Sequence, residues 1–230
     1  MLIQFFSNHG YYFFLGMGAI AMLVLMLARR GAYSLSIMQS TIYTLLLLIT
    51  GIAGAKLLFF FECGMESFSG MSFFGAVYLV LLAMPLIGAL FKLKPKDSLD
   101  ACAPCVAAIV GFQRFGCFCA GCCGGIPIGN TAMVWPTQLM EGLGDMLILF
   151  FLLFVEKNEK FRGKSYPAFL ISYGIMRFAI EFVRDTAKDW LGLSHGQWFS
   201  IVGICIALLM LGGDTRWRNQ GQENIHYEQA

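Results

Sequence analysis

Long apolar runs alternate with short polar breaks along this chain, and the breaks hold most of its charge. Residues 10–28 are apolar throughout and stop at Arg29 and Arg30. A helix needs about 20 such residues to cross the hydrocarbon of a bilayer. Comparable runs occupy 34–61, 71–91, 99–118, 137–155, 168–184 and 197–213. The pattern predicts an all-α, polytopic membrane protein of about seven transmembrane helices, forming a single integral membrane domain over residues 1–230. In the second run, Gly51, Gly54 and Ala55 supply small residues where a neighbouring backbone can come close.

Charge gives these spans a direction. Basic residues gather at alternate breaks: Arg29 and Arg30; Lys92, Lys94 and Lys96, with Pro95 among them; Lys157, Lys160, Arg162 and Lys164; Arg216 and Arg218. Cytoplasmic loops are the ones enriched in lysine and arginine, so these breaks are expected inside. Residues 62–70 contain no cation and 121–135 no charge at all, which places them outside. The remaining outer loop mixes Arg184 and Lys188 with Asp185 and Asp189. The N-terminus is therefore expected outside and the C-terminus in the cytoplasm. The first cations follow the first apolar run instead of preceding it, so no cleavable leader is expected.

Composition agrees with this. At 58% hydrophobic and 13% charged residues, with a mean hydropathy of +0.69, the chain falls outside the range of soluble domains. A net charge of +2 gives no reason to expect a nucleic-acid partner.

Residues 113–125, reading Gln-Arg-Phe-Gly-Cys-Phe-Cys-Ala-Gly-Cys-Cys-Gly-Gly, concentrate the candidate chemistry. A cation at membrane depth is costly and needs a partner or a purpose. The topology sets Arg114, Glu141, Arg177, Glu181 and Lys56 at one level near the outer face, and Asp145 lies in the same apolar segment as Glu141. Arg177, Glu181 and Arg184 recur at helical spacing and share a face. Such charges must face a protein interior or a wet cavity. One reading is mutual neutralisation of buried ions; the other is an outward-opening cavity with cations in its wall. Guanidinium forks match phosphate oxygens, so two arginines at one depth favour a phosphate-bearing ligand, and at an outer leaflet that means a phospholipid head group. Charges confined to one level give no path across the membrane, which disfavours a pore or transporter.

A series of motifs then resembles the bacterial prolipoprotein diacylglyceryl transferase family: Gly70 to Phe73, Asp100 to Pro104, Gln113 to Phe118, Trp-Pro-Thr-Gln-Leu-Met-Glu ending at Glu141, Tyr-Gly-Ile-Met-Arg-Phe-Ala-Ile-Glu-Phe-Val-Arg from Tyr173 to Arg184, and Gly196 to Ser200. The resemblance implies a multi-pass enzyme of the bacterial cytoplasmic (inner) membrane. It would move the diacylglyceryl group of phosphatidylglycerol to the lipobox cysteine of a prolipoprotein signal peptide, the first step of lipoprotein maturation. No cofactor is implied. By position, Arg114 and Arg177 match the arginines expected to hold phosphate and stabilise departing glycerol phosphate, with Glu181 beside them. Lys56 takes the place of an arginine, keeping charge but losing the fork. Gly121 and Gly125 match glycines of the signature segment, Tyr12 or its neighbour Tyr11 a helix-one tyrosine, and Gln138, Glu141 and Gln197 polar positions on the substrate side.

Three departures accompany the match. Phe74 stands where the family commonly has a histidine, and Cys117 and Cys122 stand where it has asparagine and glutamate. A thiol acceptor must lose its proton, so the usual base is missing. His9 and His195 fall on the outer side as substitutes or as solvated residues. Cys119 and Cys122 form a Cys-x-x-Cys, yet no histidine or second such pair supports a closed metal site, and none is expected. An oxidising outer face suits disulfides, with Cys63 as a further candidate, and free thiols packed as small apolar residues are the other reading. Cys122 is a candidate reactive thiol beside Arg114, while Cys102, Cys105 and Cys205 are read as packing. Two functional classes stay open: the transferase, or a divergent member that binds lipid, performs thiol-redox chemistry or uses a different acceptor.

Overall fold

A computed structural model describes residues 2–66, 70–158, 161–188 and 190–228, with side chains described from residue 9 to residue 213 except at position 190. Lys160 and Asp189, both used in the topology argument, lie outside the described residues, as do the side chains of Arg216 and Arg218. The architecture is all-α. Seven helices occur among the described residues: α1 Leu2–Arg29, α2 Ile37–Glu62, α3 Phe73–Ala89, α4 Pro95–Cys119, α5 Thr137–Glu156, α6 Ser165–Ile180 and α7 His195–Glu228. Five are long and apolar enough to cross a membrane, over His9–Tyr33, Ile37–Glu62, Pro95–Cys119, Thr137–Glu156 and His195–Gly213. The α3 helix is apolar but has 17 residues, and α6 has 16.

Helix boundaries follow local chemistry. Ser36 starts α2 through a reciprocal capping box with Gln39, so the apolar run at 34–61 becomes helical only from Ile37. Pro95 does not break a helix; it begins α4 at a position where its missing N–H costs nothing. The Asp100 carboxylate accepts the backbone N–H groups of Gly163 at 2.5 Å and Ser165 at 2.9 Å, satisfying the free donors at the start of α6. This gives Asp100 of the matching segment a structural task.

The centre of the bundle is α4, which packs against α1, α3, α5 and α6. Two-thirds of its most apolar stretch (67%) is buried, against 17–44% for the other four long spans. Small residues make this possible: Gly111 backs onto Gly142 and Asp145 of α5, and Gly116 onto the Tyr11 backbone of α1. Gly54 of α2 and Gly75 of α3 meet carbonyl to α-carbon, so a side chain on either would strike the other helix. Gly51 faces open space instead, which narrows the small-residue contact expected on α2 to Gly54 and Ala55. Leu82, Leu86, Leu147, Phe150, Phe154 and Leu209 point outward and are exposed. An apolar perimeter of this extent belongs in lipid, and the molecule is a polytopic membrane protein.

At the end of the bundle away from the cysteine loop, Arg29 is more than a topology marker. Its guanidinium makes two bonds to Glu156, at 2.6 and 2.7 Å, and donates to the carbonyls of Asp100 and Ala101. Tyr33 also donates to Glu156, so α1, α4 and α5 are joined there by one half-buried ion pair.

Candidate active site

At the cysteine-loop end, one carboxylate gathers three arginines. Glu141 lies on the first turns of α5 and is 1% exposed. Its Oε2 is 2.5 Å from Arg114 Nε, while its Oε1 accepts Arg177 Nη1 at 3.1 Å and Arg184 Nη1 at 2.8 Å. Arg177 Nη1 also stands 2.5 Å from Glu181 Oε2, one helical turn along α6. The other oxygen of Glu181 accepts the hydroxyls of Thr186 and Ser194 at 2.8 and 2.9 Å. Ser194 and Gln197 cap each other at the start of α7, and a side chain at Gly196 would press on the Glu181 carboxylate at 3.1 Å. Asp145, fully buried one turn beyond Glu141, lies near Arg114 and Arg177 without a hydrogen bond from any described residue. Buried ions survive only when paired, and here three guanidiniums meet two carboxylates with a third close by.

The loop from 120 to 136 folds back over this cluster. Thr137 Oγ1 donates to the Cys123 carbonyl at 2.9 Å and Gln138 Nε2 to the Cys122 carbonyl at 2.6 Å, so the first turn of α5 holds the cysteine backbone. Gly125 N–H bonds the Trp135 carbonyl and Ile126 N–H the Val183 carbonyl, which carries Arg184 in beside the loop. A side chain at Gly125 would strike Val183 and Trp135. Gly121 has φ +67°, in the left-handed region that favours glycine, and Cys123 adopts φ +62° without that excuse, at a cost of about 1–3 kcal/mol. The result is a cluster of thiols: the sulfurs of Cys117, Cys122 and Cys123 lie within 4.8 Å of one another. Cys119 stays outside the group, so the pair suggested by Cys-x-x-Cys spacing is not the one that forms. All eight cysteines are free thiols, Cys63 included. A hydrogen bond from Cys117, then the nearby Arg184 and Arg114, hold the Cys123 thiol down at about 5, while burial pushes that of Cys122 up.

Arg114, Arg177, Arg184 and Lys56 all reach the wall of one cavity of about 1190 Å³, together with Glu181 and the three clustered thiols. Apolar residues of α1 (Leu15, Ala19), α2 (Leu48, Ile52) and α4 (Val106, Ile109) line much of the rest. Tyr12 and Ile52, also in its lining, are 73% and 45% exposed, so the cavity reaches the surface there. The cavity exceeds the range of about 300–1,000 Å³ usual for drug-sized ligands. A cationic face joined to an apolar lining suits an anionic amphiphile.

Residues 2–212 match the family model described as prolipoprotein diacylglyceryl transferase. The chain belongs to that family. Among its relatives, the phosphatidylglycerol–prolipoprotein diacylglyceryl transferase 2 of Clostridium perfringens is 29% identical over 231 aligned positions, covering 88% of this chain and 89% of the relative. The phosphatidylglycerol–prolipoprotein diacylglyceryl transferase of Clostridium tetani is 34% identical over 137 positions, 53% of this chain and 55% of the relative. That of Teredinibacter turnerae is 34% identical over 157 positions, 61% of this chain and 55% of the relative.

Within this family fold, the residues singled out from the sequence divide into a wall and its supports. Arg114, Arg177, Glu181, Lys56, Tyr12 and Cys122 line the cavity. Glu141, Gln138, Gln197, Gly121 and Gly125 do not; they orient the arginines, clamp the loop, cap α7 or allow the turns. Of the two helix-one tyrosines, Tyr11 is the more enclosed and accepts Gln113 Nε2 at 3.1 Å. The α6 helix ends at Ile180, so Arg184 does not continue the helical face of Arg177 and Glu181 but returns from the loop. Arg184 still joins Arg177 and Glu181 at one site, as its spacing suggested, but does so through Glu141. Phe74 packs against Tyr78, Tyr173 and Phe199 and also borders the cavity, placing a ring where the family commonly has a base. His195 lines the cavity, whereas His9 is exposed and does not.

Proposed function

We propose that this protein transfers the diacylglyceryl group of phosphatidylglycerol to the lipobox cysteine thiol of a prolipoprotein, at the outer leaflet of a bacterial cytoplasmic membrane. The reading includes a single domain of seven spans, α3 and α6 among them, with the N-terminus outside and the C-terminus in the cytoplasm. One observation carries it: Arg114, Arg177 and Arg184 are tied together by Glu141 and line a cavity whose wall is otherwise largely apolar. The head-group phosphate sits against the arginines and the acyl chains lie between α1 and α2.

In this account the acceptor sulfur attacks the glyceryl carbon bonded to the phosphate oxygen. The carbon–oxygen bond breaks and glycerol phosphate leaves with an added negative charge. Arginines already fixed in place stabilise that charge more in the transition state than in the bound lipid. Glu141 and Glu181 keep the guanidiniums aimed, and Lys56 adds charge without a fork. The test is transfer of labelled diacylglyceryl from phosphatidylglycerol to a lipobox peptide by the purified protein. Arg177→Ala is expected to lower turnover at least about 100-fold, with Arg177→Lys between it and wild type. A folded wild type that binds phosphatidylglycerol but never transfers would remove the reading.

Phe74 favours a second reading, since its ring fills the position of the usual base. A divergent member would then bind lipid through the same arginines while acting on a different acceptor or through its thiols. The same assay separates the two, because only the first consumes the lipobox thiol.

A further inference from the structure

The clustered sulfurs of Cys117, Cys122 and Cys123 have no task in the transfer reaction as described above. Each offers one Sγ, and all three lie within 4.8 Å of one another. In a tetrahedral thiolate site with metal–sulfur bonds of about 2.3 Å, sulfurs stand about 3.8 Å apart, so only a small inward shift is needed. Two of the three are held there by their backbone. The carbonyls of Cys122 and Cys123 are clamped by Gln138 and Thr137, and Cys123 is kept at φ +62°. The third, Cys117, is buried in the last turn of α4, and its carbonyl accepts the Cys122 N–H at 3.2 Å. Outer contacts of this kind are what orient metal ligands.

No fourth histidine, cysteine or carboxylate joins the group among the described residues, and all three cysteines face the cavity. Three protein ligands with an open position are the mark of a catalytic zinc site; a structural one is closed by four. Absence of a histidine or a second Cys-x-x-Cys, which argued against metal from the sequence, therefore excludes only a closed site.

We propose that Cys117, Cys122 and Cys123 bind one zinc-like divalent ion whose open fourth position takes the acceptor thiol. The metal half stands on geometry; the thiol half rests on the transferase reading. The acceptor binds as its thiolate and releases its proton to water. Its sulfur then forms the bond to the glyceryl carbon as the carbon–oxygen bond breaks, and the electron pair of that bond leaves on the phosphate oxygen. The product thioether is neutral and a poorer ligand, so it departs, and the metal neither gains nor loses electrons. Three thiolates around a divalent ion leave one negative charge, and two once the acceptor thiolate is bound, with Arg114 and Arg184 in the same cavity wall to offset it. The site would hold the acceptor deprotonated although Phe74 occupies the usual base position.

The experiment is cobalt(II) titration of the full-length protein, purified in detergent under reducing, metal-free conditions, followed by thiolate-to-cobalt absorption. Stoichiometric binding is expected, weakened at least about tenfold in Cys122→Ser and in Cys123→Ser. Cys205→Ser, on the exposed face of α7, should bind like wild type. Adding a lipobox peptide should change the cobalt spectrum, and the peptide with serine for cysteine should not. Failure of the wild type to bind cobalt with all three thiols reduced, or a disulfide within the trio in native membranes, overturns the site. Because these readouts do not depend on turnover, metal binding without transfer would defeat the transferase reading alone. Unchanged transfer by metal-stripped protein would defeat the thiol half alone.

Discussion

Glu141 bears more of the site than any neighbour, because its two oxygens serve three arginines from α4, α6 and the loop beyond. Replacing it with glutamine keeps the shape but leaves those cations facing one another with less compensation. Breaking a buried ion cluster from one side costs about 3–5 kcal/mol, so Glu141→Gln should unfold well below wild type in a detergent thermal melt. A melt unchanged from wild type contradicts the hub. Arg114, Arg177, Glu141 and Glu181 could be read from the sequence because an ionisable residue inside an apolar run is costly and stands out. Arg184 was legible as a companion of Arg177 and Glu181 from its spacing, but its route was not: it reaches Glu141 from beyond the end of α6, where the bridge to Gly125 brings it in. Gln138 and Gln197 were legible as important but not as supports, since an amide that caps a backbone and one that binds a substrate look alike in sequence.

Among the elements, the cysteine loop depends on close fit and α2–α3 on close approach. Gly125→Ala would drive a methyl into Val183 and Trp135, costing about 1–3 kcal/mol and displacing both Arg184 and the thiols. Transfer should fall at least about tenfold in that variant while circular dichroism shows helix content retained. Wild-type turnover would show that the loop does not position the site. On α2, Gly54→Ala is expected to destabilise by about 1–3 kcal/mol, because its methyl meets the Gly75 carbonyl, whereas Gly51→Ala should stay within about 0.5 kcal/mol. Melts of the two variants that coincide would argue against this helix contact. All seven apolar runs correspond to helices, since sustained apolarity survives any tertiary context. Their ends were harder to place: Ser36 and Pro95 set starts by capping chemistry, and α6 stops at Ile180 where the chain turns to pair with the loop.

At the scale of the whole molecule, the apolar perimeter and the exposed cavity-lining Tyr12 and Ile52 make lateral entry from the bilayer the natural route for a lipid. The polar cluster at the cysteine-loop end then has to face the leaflet that holds both lipid and acceptor. A reporter active only in the cytoplasm, fused to the C-terminus, should be active, and one fused at the N-terminus silent; the reverse pattern would invert the topology. That the chain is a membrane-embedded helical bundle was legible from apolar run length alone. The cavity was not, because which residues meet in its wall depends on how α1 packs against α4 and α2 against α3. The most direct test of the three-arginine face is Arg184→Ala, since this residue reaches Glu141 from outside α6. Labelled diacylglyceryl transfer to a lipobox peptide should proceed in wild type and fall at least about 100-fold in Arg184→Ala with helix content intact. Turnover at the wild-type rate in that variant would contradict the claim that the Glu141-bound arginines hold the departing phosphate.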